Sequence, residues 1–90
     1  MKLMHVICNK YGIDKVIDLN RIDEMGCNIK TNTIYIKADN NDIISIKMNK
    51  EENTEAICTK MLEQYLDKTV KMDSFIINID NILKELANAH

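Results

Sequence analysis

Apolar and polar residues alternate with a period of two through residues 33–37, where Tyr35 separates Ile34 from Ile36, and again through residues 44–48, where Ser45 and Lys47 separate Ile44, Ile46 and Met48. Such alternation marks half-buried strands, and two of them joined by Asp39-Asn40-Asn41-Asp42 read as a hairpin. The turn contains no Gly, so Asn40 or Asn41 has to supply the positive φ of a tight connection. Residues 27–30 can extend the hairpin, with Thr31-Asn32 as the link.

Upstream, residues 3–8 are apolar on both faces except at His5, which suits a strand covered on both sides or one pairing at a crowded edge. Residues 13–25 carry two overlapping patterns. Val16, Ile17 and Leu19 suggest a short strand over residues 15–19. Leu19, Ile22 and Met25 fall three apart, as on one helix face, with Asp18 as an N-cap and Gly26 as a C-cap. The reading adopted is the short strand, followed by a turn of helix or an irregular crossing.

Downstream, Asn49 and Glu52 form a near capping box, and Glu51, Glu52 and Glu55 sit where the helix dipole is positive. Ile57, Cys58, Met61, Leu62, Tyr65 and Leu66 then make one stripe. Ser74 can cap a second helix with Phe75, Ile76, Ile79, Ile82, Leu83 and Leu86 on one face, although Phe75-Ile76-Ile77 alone would pass for a strand. The predicted fold is a single α+β domain over residues 1–90, a small antiparallel sheet of three to four strands with two C-terminal helices packed on one face. Its other sheet face would carry Lys30, Thr33, Tyr35, Lys37, Ile43, Ser45 and Lys47.

Composition sharpens this picture. With 46% hydrophobic and 29% charged residues the chain falls in the folded, soluble range. Fifteen Ile against six Leu, eleven Lys against one Arg, and eleven Asn indicate AT-rich coding, hence a low-GC bacterium or one of its phages or mobile elements. A single Arg leaves little of the planar fork that grips phosphate. A net charge of -2 argues against a dedicated nucleic-acid binder. Residues 1–8 are too short for a signal segment, and nothing approaches a membrane span, so a cytoplasmic location is expected.

Candidate chemistry is sparse. Cys8, Cys27 and Cys58 are an odd number without a CxxC pair and read as reduced core side chains. Neither a metal site nor a cofactor is expected. The acidic residues Asp14, Asp18, Asp23, Glu24, Asp39 and Asp42 lack the order of a calcium loop, and the last two fit a turn. His5 could face a Cys as base to nucleophile, but no oxyanion turn or third orienting residue accompanies it, and His90 reads as a frayed terminal residue. The candidate binding set is therefore Tyr35, Lys37, Ile43, Lys47 and Lys30 on the outer sheet face. With one aromatic it suits protein contact better than base stacking. The last helix could also pack against a second copy to give a homodimer.

Val16-Ile17-Asp18-Leu19, Asn32-Thr33-Ile34-Tyr35-Ile36, Asp42-Ile43-Ile44-Ser45-Ile46 and the Glu-rich helix start together resemble small accessory proteins of Gram-positive phages and plasmids. The resemblance covers about half the chain and carries no site residues. The function expected is a non-enzymatic interaction protein, an inhibitor of a host protein such as a CRISPR effector. The alternatives are an oligomer sequestering a nucleotide signal through Lys30, Lys37 and Lys47, and a small regulatory nucleic-acid binder using the same lysines.

Overall fold

The structure, a computed structural model, describes residues 2–88. Met1, Ala89 and His90 lie outside them, and with His90 the reading attached to it. Strand β1 (Leu3–Cys8) runs at the centre of a three-stranded sheet. It pairs antiparallel with β2 (Ile13–Asp18) and parallel with β6 (Ser74–Asn78). A 3₁₀ turn over Asn9–Tyr11 reverses the chain between β1 and β2, and Gly12 closes it at φ 70°, a left-handed conformation that costs glycine nothing. Met4, Val6 and Cys8 point into the core and Leu3, His5 and Ile7 to the other face, as a period of two demands.

The ambiguous stretch after β2 is strand, corner, strand. Asp18 does cap, accepting from the Asn20 amide at 2.9 Å, but what it caps is one 3₁₀ turn over Leu19–Arg21. Strand β3 (Ile22–Asn28) comes next. Its register slips between Ile22 and Glu24, so Ile22 and Met25, an odd interval apart, both pack against the core. That bulge produces the three-residue spacing that imitates a helix face. Gly26 lies inside the strand and caps nothing.

Strand β3 pairs with β4 (Thr33–Ala38), and β4 with β5 (Asn41–Lys47), in a second antiparallel sheet of three strands. The connecting loop is two residues long. Asp39 and Asn40 hold φ 53° and 64°, the doubly left-handed turn whose twist matches a hairpin, so Asn40 plays the expected part and Asp39, not Asn41, joins it.

Helix α1 (Thr54–Thr69) buries Ile57, Cys58 and Met61. Its N-cap is Asn53, which accepts from the Ala56 amide at 3.0 Å. Asn49 and Glu52 close the turn before it instead, the Asn49 amide donating to Glu52 Oε1 at 3.1 Å. Leu66, at 65% exposure, falls outside the buried stripe. The second helix differs most from expectation. Phe75 and Ile77 are buried side chains of strand β6, Ile76 between them is half exposed, and α2 spans only Ile79–Ala87, capped by Asn78 rather than Ser74.

The fold is α+β with its helices C-terminal, as expected. Among the described residues six strands divide between two sheets, and buried side chains from both sheets and both helices form one cluster. Among the described residues no helix is long and apolar enough to cross a membrane.

Candidate functional site

Two sheet faces point away from the core. On the first, Thr33, Tyr35 and Lys37 of β4 stand beside Lys47, Ser45 and Asp42 of β5. Tyr35, Lys37 and Lys47 therefore share a face, as the alternation predicts, and Lys30 is exposed in the adjoining turn. Ile43 does not join them. It is the extra residue of a bulge between the Ile36–Ile44 and Lys37–Asp42 pairs, and its side chain packs against the core. Ile43 is thus absent from the outer face expected of it, and Ser45 and Gly26 flank Tyr35.

Gly26 explains where the ring goes. A Cβ there would come within 3.0 Å of the Tyr35 hydroxyl and 3.3 Å of Cζ, so the tyrosine lies across the bare glycine backbone. Its hydroxyl donates to Glu24 Oε1 at 3.2 Å, and Lys37 Nζ stands 5.5 Å from the ring centre and 3.9 Å from Glu24 Oε2. Desolvation, then the Glu24 charge and the hydrogen bond to it, push the Tyr35 phenol above its ordinary pKa. Glu24→Gln is expected to bring that pKa back toward the value of a free tyrosine, read from the Tyr35 ring resonances in an NMR pH titration. An unchanged value would disprove the coupling. With Glu24 and Asp42 among the lysines, this face is mixed in charge and its aromatic is already engaged.

The second face belongs to β2-β1-β6. Leu3, His5 and Ile7 are half-buried along its centre, and His5 stands in register between Val16 and Ile76, which are 60% and 50% exposed. His5 Nε2 is paired with the carboxylate of Asp14 on the neighbouring strand. Leu3, His5, Val16, Ser74, Phe75 and Ile76 line a shallow groove of about 270 Å³. Two bulky aliphatic side chains flanking a half-buried imidazole make a contiguous apolar surface, unlike a lone exposed leucine. The signal for it was the two-sided apolarity of residues 3–8, of which only one face is covered.

Several acidic groups elsewhere hold turns. Asp80 of α2 accepts from the Asn9 and Lys10 amides at 2.7 and 3.2 Å and from the Cys8 thiol at 3.7 Å. Burial alone would raise its pKa, but these bonds and nearby Lys84 leave it below the usual carboxylate range. Glu52 accepts from Lys10 Nζ at 3.0 Å, from the Asn49 amide and from the Tyr11 hydroxyl. Its pKa is lowered in the same way, against its own desolvation. Asp39 is paired with Arg21, and Asp23 accepts from the Asn40 amide at 2.8 Å. Among the described residues no three His, Cys, Asp or Glu side chains converge as metal ligands would.

Burial raises the Cys8 thiol, and burial followed by the neighbouring Cys27 pushes Cys58 up to about 11. Both stay protonated at neutral pH and are unsuited to nucleophilic attack. Compared with known proteins, the chain matches no family model, no curated protein and no solved structure.

Proposed function

We propose that this chain is a non-enzymatic interaction protein that engages another protein through the outer face of the β2-β1-β6 sheet. The observation that carries the reading is the exposure of Val16 and Ile76 on either side of His5. Apolar surface presented this way is stabilised when a partner removes it from water. The protonated Cys8 and Cys58 thiols favour binding over catalysis. In its narrower form the partner is a host protein, and the chain is a phage or mobile-element inhibitor of host defence such as a CRISPR effector. That form rests on the AT-rich composition and the resemblance in patterning. The mixed charge around Tyr35 ranks nucleotide or nucleic-acid capture by Lys30, Lys37 and Lys47 below it.

Tagged protein passed over lysate of a low-GC bacterium and analysed by native mass spectrometry tests both forms. A stoichiometric host protein is expected with the wild type and not with Val16→Asp/Ile76→Asp, whose urea midpoint should stay near wild type because both side chains are exposed. Retention by the double variant would overturn the choice of face. A hydrolytic turnover abolished by His5→Ala or Cys8→Ser would overturn the non-enzymatic reading.

A further inference from the structure

The two sheets leave four strand edges, and three are guarded. On β6, Lys68 Nζ donates to the Ile76 carbonyl at 2.7 Å. Strand β3 is bulged and lies against α1. Strand β5 carries the Ile43 bulge, and Lys15 Nζ occupies the Ile43 carbonyl at 2.7 Å. Bulges and lysines are the devices that keep sheet edges from recruiting other strands. Strand β2 runs without a register slip from Ile13 to Asp18, and its one lysine, Lys15, is turned across to β5 rather than over its own edge.

The backbone groups turned to that edge are fixed by the ladder. The Leu19 amide donates to the Lys2 carbonyl at 3.0 Å, and antiparallel pairs alternate between bonded and non-bonded. Ile17 and Lys15 therefore spend their hydrogen bonds on Met4 and Val6, while Asp14 and Val16 turn N–H and C=O outward, joined by the Asp18 N–H. Among the described residues no side chain satisfies these groups. Beside the edge runs a slot of about 300 Å³ whose opposite wall includes Asn41 and Ile43. Lys15 reaches across it, holding the carbonyl that an incoming amide could take.

We propose that the free edge of β2 accepts an extended peptide of the pattern basic-x-apolar-x-basic, which adds a strand in the slot between β2 and β5. The charge pattern selects this occupant. Asp14, Val16 and Asp18 project on one face, so an added strand would set its own same-face residues opposite acid, aliphatic and acid. Asp14 meets His5 and Asp18 meets the Asn20 amide through one carboxylate oxygen each, leaving the second of each to a cation. A second copy fits less well, because antiparallel self-pairing centred on Val16 places Asp14 opposite the partner's Asp18 twice. This mode of binding rests on the interaction reading above and names its chemistry.

The test titrates the whole protein with the peptide Thr-Lys-Thr-Val-Thr-Lys-Thr, monitored by amide NMR and hydrogen exchange. Shifts centred on residues 14–18 are expected, with slowed exchange of the Val16 amide. Val16→Pro removes an outward donor without touching the β1 ladder and should weaken binding roughly three- to tenfold. Asp14→Lys/Asp18→Lys should abolish it, and Thr-Glu-Thr-Val-Thr-Glu-Thr should then bind in its place. The charge swap decides the matter even where Val16→Pro fails to fold. Absence of shifts at residues 14–18, indifference to the swap, or a concentration-dependent dimer occupying this edge would each overturn the proposal. A null result here, with a host protein still lost from Val16→Asp/Ile76→Asp, refutes strand addition alone. A wild type that retains no stoichiometric protein refutes the interaction reading with it.

Discussion

Ile77→Ala is expected to remove about 2–5 kcal/mol of stability, seen as a lower urea midpoint at unchanged slope, whereas Ile76→Ala should change it by less than about 1 kcal/mol. The contrast comes from strand geometry. Ile77 is 0% exposed and its cross-strand neighbour is Val6, also fully buried, so truncation leaves a cavity between β6 and β1. Ile76 points the other way and is half exposed. On a helix running through residues 75–86, Ile76 would share the buried stripe and Ile77 would stand beside it, reversing the order. Equal losses, or the greater loss at Ile76, would refute strand β6.

The second large effect concerns Asp80→Ala. One carboxylate there holds the start of the turn after β1, joining residues far apart in sequence through two backbone amides and a thiol. Hydrogen bonds to a charged acceptor are the stronger kind, but solvent reaches this one, so the expected loss is about 1–2 kcal/mol. Its pH dependence has a definite sign. The folded-state pKa lies below the unfolded one, so the stabilisation is complete above the unfolded carboxylate value, about 3.9, and disappears as pH falls through the folded value. Glu52 adds to the same window from an unfolded value of about 4.3. Urea midpoints of wild type and Asp80→Asn should differ at neutral pH and converge in acid. A constant gap would show that the charge is not what holds the turn.

The α+β class, the hairpin turning at Asp39-Asn40 and the body of α1 can be read from periodicity, because each is a local pattern of one face buried and the other wet. Tyr35, Lys37 and Lys47 fall on one face for the same reason. Ile43 escapes that reading, since a bulge inserts a residue without altering composition and reverses the facing of the residues beyond it. The bulge at Ile22 and Glu24 hides β3 in the same way. Strand β6 is hidden by its continuation. Phe75 and Ile79 satisfy a helical spacing across a boundary that only a partner from the other end of the chain creates. The apolar outer face of β1 is visible as two-sided hydrophobicity, but which side lacks a cover depends on where α1 and α2 dock.

The parallel pairing of β1 with β6 bears on how the chain is made. Strands β3, β4 and β5 are consecutive, so that sheet can form as soon as its residues have been synthesised. The other sheet cannot, because β1 is among the first of these residues translated and β6 among the last. Until β6 arrives, β1 and β2 form at most a two-stranded ribbon with an open flank, which is marginal alone. Distant pairing of this kind slows folding and prolongs the exposure of unpaired strands. Nascent chains truncated before Ser74 should therefore depend on holding factors that the finished protein no longer needs.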